Sequence, residues 1–139
     1  MPIDDKILEQ KLLEKVLIAE KTLAALKKKA ETENTSLEDV LFKQEIIPDD
    51  KLGAVIAEIY DVPFVKLSDK IIAEPLLKMI PYALASNQYV IPFQHTGSSL
   101  KVAINNPKNY ELISSLEKKT GLEIEVNYST KKEIKTSLK

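Results

Sequence analysis

The sequence predicts an α+β fold: a four-helix tandem repeat over 1–61, packed on a small α+β subdomain over 62–139. Three observations carry this. One hydrophobic pattern occurs twice in the first half, 29 residues apart. Its apolar residues recur at helical spacing, with Lys and Glu between them. After Asp61 the pattern changes to short β-rich runs broken by Pro and Gly.

The repeat is the most informative feature. Leu8, Leu12, Leu13, Leu17, Ile18, Leu23 and Leu26 align with Leu37, Leu41, Phe42, Ile46, Ile47, Leu52 and Val55. Seven apolar matches in one register exceed chance, even in a chain that is 44% hydrophobic. Such repetition marks two copies of one supersecondary unit, each too small to bury its apolar face alone.

The elements follow in order. Asp4 or Asp5 can cap a first helix. Lys21 to Glu31 is rich in Ala, Leu and Lys, which are strong helix formers. Thr32 to Thr35 breaks the pattern. Thr35 or Ser36 can cap a third helix, with Glu38 and Asp39 in its first turn, where the helix dipole favours carboxylates. Pro48-Asp49-Asp50 opens a fourth, with Leu52, Val55, Ile56 and Ile59 as its apolar stripe.

In the second half Phe64-Val65-Lys66-Leu67 reads as a short strand. Pro75 to Ile80 reads as a helical turn, and Pro81 restarts a helix towards Ser86. Tyr89–Phe93 and Leu100–Ile104 flank His95-Thr96-Gly97-Ser98, which signals a hairpin. Pro92 makes the first run an edge strand or a partly paired one. Asn105-Asn106-Pro107 is a break. Tyr110 to Lys119 is an amphipathic helix with Gly121 as its C-cap. Leu122, Ile124, Val126 and Tyr128 alternate with polar residues as a half-buried strand, and Lys131 to Leu138 closes as a short helix. The expected sheet has three to four strands and is largely antiparallel. The short junction Tyr60-Asp61-Val62-Pro63 predicts packed rather than tethered halves.

Composition bounds the function. A chain of 139 residues is one domain or two small subdomains and can bury a core. It has no Cys, hence no disulfide and no thiolate site. No apolar run reaches the length of a membrane span, and the first residues are acidic, so the expected setting is cytoplasmic. The net charge is −1, and all twenty basic residues are Lys. Without Arg, the planar reader of phosphates and guanine edges, nucleic-acid binding is not expected. No long heptad is visible, so the isolated chain is expected to be a monomer.

Catalytic patterns are not found. Gly53, Gly97 and Gly121 form no Walker or dinucleotide motif. His95 is the single His and reads as an exposed turn residue. Asp4-Asp5 and Asp49-Asp50 sit at helix starts, where capping explains them. Ser98-Ser99 and Ser114-Ser115 have no adjacent base. Lys27-Lys28-Lys29 reads as a solvated helix face. No catalytic residue, metal or cofactor is expected.

The ordered series Asp61 to Leu67, Val90-Ile91-Pro92-Phe93, Leu100 to Pro107 and Thr120 to Glu125 resembles the N-terminal domain of the assembly ATPases of type II secretion and type IV pilus systems. The resemblance covers nearly the whole chain. It implies a non-catalytic interaction domain that docks the ATPase to an inner-membrane platform protein or helps order its hexamer. The ATPase core would then lie C-terminal in a longer protein. Membrane association would be peripheral and through that partner, with no direct insertion. In one branch of the family the tandem repeat is a cyclic di-GMP receptor, built on Arg, two Gly and a final Gln in each copy. The resemblance places the Arg at Ile7 and Ser36, the first Gly at Glu9 and Glu38, the second at Val16 and Glu45, and the Gln at Ala30 and Ile59. All eight ligand-facing positions differ. A Glu facing a dianion about 4 Å away costs about 1 kcal/mol even when strongly screened. The resemblance therefore implies that the scaffold is kept and nucleotide binding is lost, with nucleotide sensing as the alternative. Two partner surfaces are open: the edge run Tyr89–Phe93, and apolar residues on the repeat such as Ile7 and Ile59.

Overall fold

The computed structural model describes residues 3–139. Contacts divide the chain into two compact units, Met1–Ile59 and Tyr60–Lys139.

The first unit holds four helices: α1 (Asp5–Glu14), α2 (Glu20–Thr32), α3 (Leu37–Gln44) and α4 (Asp49–Tyr60). Asp4 caps α1, its side chain accepting from the Lys6 amide at 2.8 Å. Ser36 caps α3, accepting from the Asp39 amide at 3.1 Å. The repeat register is a burial register. Leu8 and Leu37, Leu12 and Leu41, Ile18 and Ile47, Leu23 and Leu52, and Leu26 and Val55 are buried as pairs. Leu13 and Phe42 are half-buried as a pair. Leu17 and Ile46 diverge, because Ile46 lies 47% exposed. Burying such a side chain is worth about 1.5–3 kcal/mol, so the pairs supply most of this unit's cohesion.

The starts of α1 and α3 are tied reciprocally. The Leu37 amide donates to Asp5 Oδ1 at 3.4 Å, and the Ile3 amide donates to Glu38 Oε1 at 3.5 Å. Asp5 thus serves the opening turn of α3, where amides lack helical partners, and Glu38 holds the residue before the Asp4 cap of α1.

The second unit is a sheet with helices on both faces. Its strands are β1 (Val90–Thr96), β2 (Ser99–Ile104) and β3 (Glu123–Tyr128), in the order β1-β2-β3. Its helices are α5 (Glu74–Leu77), α6 (Tyr82–Gln88), α7 (Tyr110–Thr120) and α8 (Lys131–Ser137). One face buries Val90, Leu100, Val102, Ile104 and Ile124 with Leu112 and Leu116 of α7. The other buries Ile91 and Ala103 with Val65, Leu67 and Ile134 of α8. Alternate residues of one strand therefore serve opposite cores.

Two expectations change. The sheet is mixed rather than largely antiparallel: β1 and β2 form the antiparallel hairpin, while β2 and β3 run parallel. The helix α7 between them is the cause, since a helical crossover returns the chain in the same direction. Phe64 to Leu67 is not a strand. Phe64 makes one parallel bridge to Tyr128, and Leu67–Asp69 then turns into a 3-10 helix. Pro92 sits where its lack of an N–H suggests, on edge strand β1, with the register shifting between Pro92 and Gln94. Asn109 caps α7, and Gly121 closes it at φ 70°.

Candidate functional site

The positions that the family resemblance would place at a ligand fall into distinct environments. Ile7 is 47% exposed on α1, and Val16 is 85% exposed in the turn after it. Glu9 lies half-buried on α1, paired with Lys27 of α2 at 3.0 Å. Ala30 is buried on α2. Ser36 spends its hydroxyl on the α3 cap, and Glu38 holds the Ile3 amide. Glu45 is exposed as the C-cap of α3, and Ile59 is half-buried on α4.

One feature of this set concerns the backbone. Val16 has φ 55° and Glu45 has φ 52°. Both occupy the left-handed region that suits glycine, and they are equivalent in the two copies. A β-branched residue there is an outlier. The turn after α1 has the Val16 amide donating to Leu13 O and the Leu17 amide donating to Leu12 O, each at 3.1 Å. These bonds satisfy carbonyls at the helix end and hold the conformation without a glycine.

Beside this turn lies a shallow cavity of about 220 Å³, lined by Lys15, Leu17, Lys51, Ala54, Val55 and Glu58. Glu58 Oε2 meets Lys15 Nζ at 2.9 Å, and Oε1 meets Lys11 Nζ at 3.6 Å. The hydrogen bond and charge of Lys15 hold the Glu58 carboxyl below its ordinary range, and Glu58 in turn raises Lys15. The volume lies below the roughly 300–1,000 Å³ of ordinary small-molecule pockets. A second cavity, about 330 Å³, is lined by Leu84, Gln88, Asn109, Glu111, Leu112 and Ser115. Its Asn109 is engaged: Oδ1 accepts from the Leu112 amide at 3.2 Å, and Nδ2 donates to Gln88 Oε1 at 3.5 Å.

Several of the remaining candidates have structural employment. His95 is exposed, with Nε2 3.1 Å from Gly97 O. Asp50 Oδ1 accepts from the Lys51 amide at the start of α4. Lys27 and Lys29 pair with Glu9 and Glu33. Among the described residues no three His, Cys, Asp or Glu side chains converge as a metal site. No helix among them is long and apolar enough to cross a membrane.

Residues 60–139, more than half of the chain, match the model of the MshEN domain. The chain belongs to the MshEN domain family. The match begins at Tyr60, where the second compact unit begins. Over 127 residues this MshEN chain is 26% identical to the type IV pilus assembly ATPase PilB of Myxococcus xanthus (strain DK1622). That alignment covers 91% of the chain and 22% of PilB, so the chain spans about a fifth of this curated relative. The structure of MshE with cdg superposes at a TM-score of 0.71 and 17% identity, over 94% of this chain and 95% of that one. The N-terminal domain of XpsE gives 0.65 and 16% identity, over 99% and 96%. At these identities the two structures speak for the fold, and both extend it across the helical repeat as well as the matched region. The family recognised from the ordered motifs, the N-terminal domains of type II secretion and type IV pilus ATPases, agrees with all three comparisons.

Proposed function

We propose that this MshEN domain is a non-catalytic interaction module of a type IV pilus or type II secretion ATPase. It docks the ATPase to an inner-membrane platform protein, on the cytoplasmic side, and the ATPase core lies in another part of a longer protein. The observation that carries this reading is the state of the repeat. The glycine-type turns at Val16 and Glu45 are kept, but bulky or charged side chains stand on them. Glu9 is paired with Lys27 and Glu38 accepts from the Ile3 amide, so both are used to hold the helical unit together. The eight receptor-aligned positions then serve as scaffold and as surface, with Ile7 and Val16 exposed for a protein contact.

The second reading, a cyclic di-GMP sensor, draws on the same two turns. The backbone conformation that lets a glycine loop approach a ligand is present in both copies. MshE, which shares the fold, is described with cdg bound. An NMR amide-shift titration with cyclic di-GMP, with ATP as control, separates the two. The docking reading expects no saturable shifts. Saturable shifts confined to residues 7–59 would put the sensor reading first.

A further inference from the structure

Two ammonium groups converge on one aromatic ring in the second unit. Lys131 Nζ lies 5.1 Å and Lys135 Nζ 5.7 Å from the centroid of Tyr89. Neither lysine meets a carboxylate among the described residues. The two stand one turn apart on α8, so their ammonium groups share one side of the helix. Tyr89 sits at the mouth of edge strand β1, half-buried, with its ring packed on the core of Leu67 and Ile134. The ring attracts cations through its face, but two like charges gathered at one ring repel, and an anion joining them relieves that repulsion.

The surroundings extend the same sign. The 3-10 turn at Leu67–Asp69 packs on α8, and Ser68 Oγ donates to Glu133 Oε1 at 3.1 Å. With their flanks these segments span residues 66–70 and 131–139, which contain six lysines, Lys66, Lys70, Lys131, Lys132, Lys135 and Lys139, and two carboxylates, Asp69 and Glu133. All six lysines are exposed. The segments together carry a net charge of +4 in a chain whose total is −1.

We propose that Tyr89, Lys131 and Lys135 receive a carboxylate of an acidic peptide segment on a protein partner, with the neighbouring lysines steering it. A carboxylate placed between the two ammonium groups accepts from both and relieves their repulsion. The edge of Tyr89 gives an apolar wall to the side chain that carries it. Charge complementarity selects the acidic partner. A lipid surface fits less well, because the apolar side of α8 is committed to the core: Ile134 is buried and Leu138 half-buried. No face of that helix is left to insert. This proposal names a contact chemistry for the docking reading above and rests on it.

The test uses the 139-residue chain and decaglutamate as the probe, followed by NMR at two salt concentrations. Shifts should centre on Tyr89, Lys131 and Lys135 and weaken as salt rises. Lys131→Gln with Lys135→Gln should weaken binding roughly tenfold. Lys118→Gln with Lys119→Gln, an equal loss of charge on α7 of the same unit, should change it less than about twofold. Equal effects from the two pairs would overturn the proposal, as would shifts centred elsewhere. Binding to phosphatidylglycerol vesicles without binding to the peptide would overturn it in favour of a membrane surface. The docking reading fails separately: it fails if the full-length ATPase does not bind its platform protein through this domain. If that binding persists unchanged in the Lys131/Lys135 variant, the docking reading stands and this contact falls.

Discussion

Val16 and Glu45 hold a conformation their side chains disfavour, at φ 55° and 52°. Left-handed backbone costs an L-residue about 1–2 kcal/mol, part of which glycine gives back through its freer unfolded state. Val16→Gly should therefore stabilise the chain by about 1 kcal/mol, and Glu45→Gly by somewhat less, because Val is also β-branched. Urea midpoints at constant slope would measure both. Destabilisation by either would mean that the side chain contributes contacts exceeding the strain. Gly121 poses the reverse case. It sits at φ 70°, and an added Cβ there would meet nothing within 4 Å. Gly121→Ala should cost about 1 kcal/mol through backbone conformation alone.

At the scale of elements, Glu58 joins α4 to α1 through Lys15 and Lys11. Its carboxyl is held below the ordinary value of 4.5 and the Lys15 ammonium above 10.5. The carboxylate's contribution is present above the unfolded carboxyl value and is lost as pH falls through the lowered folded value. The ammonium's is present below 10.5 and is lost as pH rises through the raised folded value. Both groups are solvent-exposed, so the effect is small. Glu58→Gln should melt below the parent at neutral pH and match it in strong acid. A gap that persists in acid would assign the loss to packing instead.

The elements also show what was legible beforehand. The caps at Asp4, Ser36 and Gly121 were readable because each is a local bond or a local φ. The buried pairs of the repeat were readable because one register recurs. The direction of β3 was not, since alternation at Ile124 and Tyr128 gives a strand its faces but not its neighbour's polarity. The run at Phe64 was β-rich, yet hydrogen bonding with Tyr128 ends after Val65, where the chain turns towards α8. The equivalence of Val16 and Glu45 in the two copies could be placed from the repeat. The meeting of Tyr89 with Lys131 and Lys135 could not. The helical spacing of the two lysines was visible, but only the fold supplies the ring.

Across the whole molecule, each copy of the repeat is a core of paired apolar residues with more exposed positions between them. Leu8 and Leu37 are both wholly buried, while Ile7 and Ser36, one residue before them, are not. If the core alone sets the fold, the receptor-like residues can be restored without unfolding it. Ile7→Arg, Ser36→Arg, Glu9→Gly, Glu38→Gly, Val16→Gly and Glu45→Gly together should give saturable cyclic di-GMP binding, which the docking reading does not expect of the parent. Calorimetry would read the affinity and circular dichroism the fold. A folded variant with no gain would show that Ala30, which is buried, and Ile59 also block the site.

The two left-handed turns have a genetic consequence. Valine codons become glycine codons by one change at the middle base, and so do glutamate codons. At 9, 16, 38 and 45, where the family resemblance would place glycine, that residue is thus a single nucleotide away. At 16 and 45 the backbone already holds a left-handed φ, so glycine there would relieve strain rather than create it. A lineage carrying this domain keeps glycine within one mutation at both turns, and those two steps are ones that relief of backbone strain would favour.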